Sequence, residues 1–201
     1  MTSQPLTIGF TLVLILCSSC APLPPADIPP ATYCHAPAVI FDIDGTLTPR
    51  VSAIFTARPD AAKVVKVLAD KGFEIFYLSA RMLWLSSWIP NWLQKNGFPA
   101  GGVHVAQTRE DRRDPAQFKT RKLKEFIDQG WSINQAYGDS STDFEAYTSV
   151  GIPKQQVFAL LRSGDTDCQP GDWATCLKSW SEHLDFVNSQ GLSKPNNWGQ
   201  E

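Results

Sequence analysis

The sequence predicts an α/β fold built on a central, mainly parallel β-sheet. The stretch 39–43 is apolar except for Asp42 and runs directly into Asp44 and Gly45, a pattern typical of a buried parallel strand that ends in a turn. Strand-like and helix-like patterns then alternate along the chain, as they do where helices connect parallel strands. The 201 residues are enough for one domain with its own hydrophobic core.

Asp42 and Asp44 lie at the end of this first strand. Ligands of open parallel sheets bind outside the carboxyl ends of the strands, so both carboxylates are predicted to face a site. Residues two apart share one side of a strand, and two like charges at about 4 Å repel by roughly 4 kcal/mol at an effective dielectric of ~20. A positive group is therefore predicted beside them. For either Asp alone, an ordinary Asp-Gly turn is the alternative.

The next elements follow from periodicity and end signals. A helix is predicted over 59–72, where Pro59 suits the first turn and Gly72 the end, and a strand over 73–78. Pro90 divides the following stretch into two short helices, the second over 90–96. Three tryptophans at helical spacing are predicted to lie in the core, with exposure at a bilayer interface as the alternative: Trp84, Trp88 and Trp92.

The second half of the chain continues the alternation. Its predicted elements are, in order, a strand over 101–105, a charged and solvated loop over 108–114, a helix from Phe118, a strand that ends at Tyr137, a helix capped by Ser141 or Thr142, a strand over 156–160 and a helix over 179–188. The helix from Phe118 is expected to bury Leu123, Phe126 and Ile127. His104 is assigned a structural role.

More polar groups are predicted at the same edge of the sheet. Ser79 ends the second strand, where its hydroxyl can donate to a phosphoryl oxygen, although a serine at a strand end is often only a turn residue. Asp139 and Asp143 bracket the turn after the fourth strand and bring the number of acids to four. Such a cluster requires protons or a cation, and oxygen ligands favour a hard ion such as Mg²⁺.

These residues together resemble a known superfamily. Asp42-x-Asp44-Gly45-Thr46, Ser79, Lys119 and Gly138-Asp139-x-x-x-Asp143 are similar, in order, to the four motifs of haloacid dehalogenase-like (HAD) phosphatases. The closer similarity is to the lipin-type (LNS2) phosphatidate phosphatase domain. It is carried by three stretches, 77–81, 118–119 and 146–153, and it departs at Asp139, where lipins typically have Asn.

The resemblance implies a Rossmann-like three-layer α/β/α sandwich, and the short gaps after the first two strands leave no room for a large cap domain. It implies an Mg²⁺-dependent phosphomonoesterase that forms an aspartyl-phosphate. In this reaction Asp42 would be the nucleophile, and Asp44 would act as acid and base. The metal site would consist of Asp42, the Asp44 carbonyl, Asp139 and Asp143. Phosphate would be bound by Thr46, Ser79 and Lys119, and Arg81 would contact the substrate.

The sequence allows more than one substrate and function. Phosphatidate or a related lipid phosphate is the leading substrate, and a membrane surface is then a natural partner. The first alternative is an exported phosphatase for soluble phosphomonoesters, and the second is a phosphatidate-binding module without catalysis. The net charge of −2 and the pI of about 5.9 argue against nucleic acid as a partner, because proteins that neutralise many phosphates carry a basic excess. No pattern specifies an oligomeric state.

The chain ends differ in composition from the middle. Residues 1–20 contain an apolar run typical of an export signal, and 21–37 is a proline-rich tether. We place one HAD-like domain over 38–190 and a loose tail over 191–201. The protein is thus predicted to be exported, to the periplasm or outer membrane in a bacterium. Cleavage of the signal, acylation of Cys20 and retention as an anchor are its open fates.

Cysteine spacing fits an oxidising compartment. Cys168 and Cys176 flank a turn-rich loop that a disulfide could close, while Cys34 has no assigned partner. The alternative is three reduced cysteines.

Overall fold

The structure, a computed structural model, describes residues 21–189. The predicted export segment and the tail 191–201 lie outside these residues. Within them, no helix combines the length and the apolar character that crossing a membrane requires.

A six-stranded sheet forms the centre of the molecule, in the order β3-β2-β1-β4-β5-β6, and every neighbouring pair is parallel. The strands are β1 Ala36–Asp42, β2 Glu74–Ser79, β3 Gly102–Val105, β4 Trp131–Gly138, β5 Val157–Leu160 and β6 Thr175–Leu177. The predicted α/β class is confirmed. The sequence pattern had given no sign of β6, because a three-residue strand is too short to show periodicity.

Helices cover both faces of the sheet. They are α1 Ala61–Asp70, α2 Leu83–Ser86, α3 Ile89–Lys95, α4 Arg109–Arg113, α5 Pro115–Asp128, α6 Ser141–Ser149 and α7 Trp180–Ser189, with a 3₁₀ turn at Lys154–Gln156. The apolar sides of α1, α3 and α7 share one core with the sheet, whereas α5 and α6 share the core on the other face. The layers are therefore α/β/α. The segments that follow β1 and β2, over 43–60 and 80–101, contain only turns, coil and two short helices.

The strand register brings the functional residues to one edge. Asp42 is paired with Leu78, and Phe41 is paired with both Tyr77 and Tyr137, so β1, β2 and β4 end side by side. Because parallel strands point the same way, the loops after them share the carboxyl edge of the sheet.

The tryptophan prediction was correct for one residue of three. Trp92 is buried, with 6% of its surface exposed, but Trp84 and Trp88 are 62% and 48% exposed. α2 is only four residues long, and α3 begins again with Pro90 in its first turn. The three rings therefore do not share one continuous helix face, and the predicted core position of Trp84 and Trp88 is wrong.

The predicted loop 108–114 is also wrong. Thr108 Oγ1 accepts a hydrogen bond from the Asp111 amide, and the Thr108 amide donates one to Asp111 Oδ2, which makes a capping box at the start of α4. α5 begins at Pro115, three residues before the predicted start, because Asp114 caps it. Ile127, predicted to be buried, is 41% exposed near the end of α5.

The proline-rich segment lies along the domain. The Leu23 amide donates to Ser86 Oγ at 3.1 Å, Trp131 Nε1 donates to the Pro29 carbonyl at 2.9 Å and the Ala31 amide donates to the Gln129 carbonyl at 2.8 Å. The expected disulfide between Cys168 and Cys176 is present, and Cys34 is free and exposed.

Candidate active site

A cavity of about 400 Å³ opens at the carboxyl edge of the sheet. Its wall comes from the loops after β1, β2, β4 and β5 and from the start of α5. The charged residues that line it are Asp42, Asp44, Arg81, Lys119, Asp139 and Arg162. Five of these six were predicted from the sequence to belong to a site, and the structure brings all five into one cavity.

Asp42 is the last residue of β1 and is almost fully buried, with 3% of its surface exposed. Its Oδ1 accepts a hydrogen bond from Lys119 Nζ at 2.5 Å, and its Oδ2 accepts one from Thr46 Oγ1 at 3.0 Å. Burial raises the pKa of Asp42 well above its ordinary value, and Asp143, Asp139 and Asp44 raise it further, while Lys119 opposes them. Burial is thus the main cause of the raised pKa, and the three nearby carboxylates add to it.

Lys119 projects from the first half of α5 and lies between two carboxylates. Its Nζ forms ion pairs with both Asp42 and Asp143, and its side chain is 4% exposed. Burial by itself would lower the pKa of Lys119, but Asp143 and Asp42 raise it above its ordinary value, so the ammonium stays charged. Lys119 is the positive group that the adjacent acids of the sequence required.

Asp139 follows β4 and lines the cavity. Burial raises its pKa to about 6, with a further contribution from Asp143, although the ion pair with the Arg162 guanidinium and the charge of Lys119 lower it. Gly45 allows this approach: a Cβ at Gly45 would lie 1.9 Å from Asp139 Oδ2, and the backbone there has a φ of +93°. Only glycine fits both conditions without strain.

Asp143 is fully buried beneath the cavity in the first turn of α6. Its Oδ1 is paired with Lys119, and its Oδ2 accepts hydrogen bonds from the amides of Asp139 and Ser140 and from Ser140 Oγ. Both oxygens are therefore already engaged, and Asp143 does not line the cavity. In this arrangement it positions Lys119 and the turn that carries Asp139.

Asp44 points into the cavity mouth, with 12% of its side chain exposed. Its Oδ2 accepts a hydrogen bond from Ser79 Oγ at 2.7 Å, while its Oδ1 lies 3.0 Å from Nε and 2.6 Å from Nη2 of Arg81. The Arg81 amide in turn donates to Ser79 Oγ at 3.0 Å. The end of β2 thus holds the orientation of Asp44.

Two residues predicted to bind phosphate lie below the cavity surface. Thr46 and Ser79 are both fully buried, and neither lines the cavity. Their hydroxyls donate to Asp42 and Asp44, respectively. In the structure they orient the two acids of the first motif.

Two arginines of the site were not predicted from the sequence. Arg162 pairs with Asp139, and its position just after the predicted strand 156–160 was a usable signal, since it put a basic side chain at the carboxyl edge. Arg58 donates to the carbonyls of Gly45 and Leu161 at 2.6 and 2.7 Å and so supports the first-motif loop. It comes from the irregular segment before α1, where no sequence pattern marked it.

The acids fit a hard cation. Asp42, Asp139 and Asp143 each offer an oxygen, and these oxygens lie within 4.8 Å of one another. Burial is the main cause of the raised pKa values of Asp42 and Asp139, and neighbouring carboxylates raise them further despite Lys119 and Arg162. Asp42 and Asp139 line the cavity and Asp143 does not, so Asp42 and Asp139 are the carboxylates that a cation in the cavity would meet. An all-oxygen donor set favours Mg²⁺ among common divalent ions.

Comparison with known proteins identifies relatives of this chain. Residues 39–161, more than half of it, match the family model described as "PITM 1-3, LNS2 domain". Protein retinal degeneration B of Drosophila melanogaster is 30% identical over 175 residues, which cover 85% of this chain and 13% of that protein. Membrane-associated phosphatidylinositol transfer protein 3 of Mus musculus is 29% identical, with 78% of this chain and 16% of that protein covered.

A plant enzyme and a solved structure add to these relatives. Phosphatidate phosphatase PAH1 of Arabidopsis thaliana is 28% identical, over 63% of this chain and 17% of that protein. The chain thus spans less than a fifth of each of these three relatives. A chain of the Pnkp1/Rnl/Hen1 RNA repair complex has the same fold, with a TM-score of 0.53, 18% identity, and coverage of 78% of this chain and 48% of that one.

Proposed function

The chain belongs to the LNS2 domain family, and on this basis we propose that it is a phosphomonoesterase that acts through a phosphorylated aspartate. One observation carries the proposal. Asp42 lies at the base of an open cavity with an ammonium on one oxygen, and Asp44 stands at the mouth of the same cavity. A nucleophile with a positioned acid and base beside it is the arrangement that two-step hydrolysis requires.

In the first step an oxygen of Asp42 attacks the phosphorus, and the bond from phosphorus to the alcohol oxygen breaks. The leaving alcohol oxygen takes a proton from the carboxyl of Asp44. Lys119 remains beside Asp42 and offsets the charge that gathers on the phosphoryl oxygens, which is the main contribution a protein makes to phosphoryl transfer. The product of this step is an aspartyl-phosphate at Asp42 and a free alcohol.

In the second step water attacks the phosphorus of the aspartyl-phosphate. Asp44, now a carboxylate, accepts a proton from that water, and inorganic phosphate leaves as Asp42 is regenerated. Ser79 holds Asp44 at the mouth, where it can reach both the leaving alcohol and the incoming water. Arg81 pairs with Asp44 in the free protein and lines the cavity, so an entering phosphoryl group competes for its guanidinium.

Asp42 and Asp139 are the residues that would hold Mg²⁺, together with the Asp44 backbone carbonyl that the family resemblance implies. When bound, the ion would neutralise phosphoryl oxygens and lower the cost of bringing a phosphate to an acidic cluster.

The walls of the cavity favour an amphipathic substrate. Apolar side chains of Val51, Ile54, Met82 and Leu85 line the cavity above the charged base. A phosphate at the base and an acyl region against these walls would match that division, so phosphatidate or a related lipid phosphate is the proposed substrate. The enzyme activity named for the Arabidopsis relative supports the same choice. Export through residues 1–20, with the tether 21–37, remains part of the proposal.

A binding role without catalysis is the second candidate. The matching family model is named after PITM proteins 1–3. Of the relatives named above, the mouse protein is a phosphatidylinositol transfer protein, and the Drosophila protein is named for retinal degeneration. Neither is named as a phosphatase. Such a module would need Lys119 and Arg81 to hold the phosphate but would not need Asp44 at the mouth. The presence of both Asp42 and Asp44 favours the enzyme.

The test is phosphate release by the purified full chain, with Mg²⁺ or with a chelator, from phosphatidate in detergent micelles and from a soluble aryl phosphate. We expect Mg²⁺-dependent release with a preference for phosphatidate, loss of several orders of magnitude in Asp42→Asn and a ~10²- to 10⁴-fold loss in Asp44→Asn. The surface variant Asp128→Asn is the matched control.

Each contrary result points elsewhere. Undiminished activity in Asp42→Asn would show that Asp42 is not the nucleophile. Equal rates on both substrates would favour the alternative function, a phosphatase for soluble phosphomonoesters. Tight phosphatidate binding with no turnover would leave the binding module.

A further inference from the structure

The exposed apolar side chains of the molecule are concentrated around the cavity. Among the described residues, eight large apolar side chains are exposed, and five of them lie on the two segments that follow β1 and β2. We call these five the apolar rim: Val51, Phe55, Met82, Trp84 and Trp88. Phe55 is 61% exposed and Met82 55%, which is unusual for side chains of this kind in a folded domain.

The two segments of the rim touch each other, and the rim is continuous with the cavity wall. The rings of Phe55 and Trp88 meet edge to face with their centres 6.1 Å apart, so the two segments are in contact. Val51 and Met82 belong to the rim and also line the cavity. A flat apolar partner on the rim would therefore also cover the cavity mouth.

The amino-terminal segment reaches the domain beside this rim. Leu23 donates its amide to Ser86 Oγ in α2 at 3.1 Å and accepts a hydrogen bond from Gln107 Nε2 at 3.3 Å. The apolar run of the sequence ends at Leu16, so even a fully extended chain places it within about 25 Å of Leu23. The chain that follows this run therefore enters the described part of the domain on the side that carries the rim.

We propose that the apolar rim docks on the surface of a lipid bilayer and sets the cavity mouth against the phosphate headgroups. The residue types support a bilayer, since tryptophan and phenylalanine partition into the interfacial layer of a membrane. The nearby apolar run supports it as well, because a segment held in the bilayer would keep the rim at the same surface. This inference rests on the proposed function and assigns its substrate to the membrane.

Quenching of tryptophan fluorescence tests the contact directly. The full chain is mixed with phosphatidylcholine vesicles that contain a minor fraction of phosphatidate and carry bromine on the acyl chains. We expect emission to be quenched in the wild type and the quenched part to be lost in Trp84→Phe/Trp88→Phe, which keeps the rim apolar. Undiminished quenching in that variant would place other tryptophans in the lipid and overturn the proposal.

A second variant tests the energetics. Phe55→Ser/Trp84→Ser/Trp88→Ser should lower vesicle binding at least about tenfold, since burial of each such side chain is normally worth about a factor of ten or more. The matched control is Tyr33→Ser/Ile127→Ser, which removes exposed apolar surface at the amino edge of the sheet. Equal losses in both variants, or a loss in neither, would overturn the proposal.

Hydrolysis separates this inference from the proposed function. The serine variant should release phosphate from vesicle-bound phosphatidate at least tenfold more slowly but from the aryl phosphate at the wild-type rate, because none of its three sites lines the cavity. A chain that binds through the rim but hydrolyses neither substrate would overturn only the enzyme. A rim that forms a dimer or binds no vesicles would overturn only the docking.

Discussion

Asp139 is the residue at which function and stability oppose each other most clearly. It is buried among other acids, and its pKa rises to about 6, so its charge at neutral pH is maintained against an unfavourable environment. Arg162 offsets part of this charge. A divalent cation bound to Asp139 would favour its charged form, so the cost to the cation-free fold is consistent with a metal-binding role.

Asp139→Asn should therefore stabilise the cation-free protein. The folded-state pKa of about 6 lies above the unfolded value of 3.8, so the stability associated with this group is present below pH 3.8 and is lost as the pH rises through 6. The asparagine side chain does not ionise and so avoids that loss. The free energy of unfolding of the variant should exceed that of the wild type by on the order of 1–3 kcal/mol at pH 7 and by little at pH 4. Denaturant unfolding at both pH values measures it, with Asp128→Asn as the control; equal stability of variant and wild type at pH 7 would contradict it.

Mg²⁺ should also stabilise the fold, but through the charged form of Asp139. Binding requires Asp139 to lose its proton, so the rise in melting temperature caused by Mg²⁺ should be larger at pH 7 than at pH 5. The rise should be small or absent in Asp139→Asn and reversed by a chelator. Thermal melts with and without Mg²⁺ provide the measurement. A pH-independent rise that persists in the variant would mean that the ion binds elsewhere.

At the scale of elements, α4 and α5 together bring Lys119 under the cavity. Thr108 and Asp111 cap α4, and Arg121 of α5 pairs with Asp111 at 2.6 Å, which ties the two helices together. The charge density of 108–114 predicts a solvated loop, whereas the spacing of its residues predicts the helix that forms. The Thr108-x-x-Asp111 pattern is itself a capping signature and was present in the sequence.

Thr108→Val should remove the cap with little change in shape. The Asp111 amide would lose its acceptor, which lies at 3.0 Å, and the free energy of unfolding should fall by about 1 kcal/mol. Denaturant unfolding checks the value, and Thr166→Val, at an exposed threonine, serves as the control. A fall no larger than that of the control would show that the capping box does not stabilise α4.

At the scale of the whole molecule, the sequence predicted the sheet and the convergence of the acids because both depend on local patterns. An apolar strand that ends in Asp42 and Asp44 specifies the edge, and parallel strands bring Ser79 and Asp139 to the same edge. Arg58 could not be predicted, because its hydrogen bonds to Gly45 and Leu161 depend on how an irregular segment packs. The exposure of Trp84 likewise depends on where a helix breaks.

His104 makes the stability of the fold depend on pH in the acidic range. It is buried next to the rings of Phe76 and Phe126, and burial lowers its pKa to about 4, below the ordinary 6.5. The fold holds the neutral form, so this contribution to stability is full above pH 6.5 and is lost as the pH falls towards 4. Between pH 7 and pH 4 the free energy of unfolding should fall in both proteins, and the fall should be smaller in His104→Leu than in the wild type by on the order of 1–3 kcal/mol. Parallel unfolding curves at the two pH values measure the difference; an identical acid dependence would contradict it.

The central claim is that Asp42 carries the phosphoryl group during turnover. Asp44→Asn, in which hydrolysis of the intermediate should be slow, is mixed with substrate and Mg²⁺, stopped with acid and reduced with borohydride, which converts an aspartyl-phosphate to homoserine. Mass spectrometry of the peptides should find homoserine at position 42 and at no other aspartate. Homoserine at another position, or none in a chain that still releases phosphate, would contradict the account.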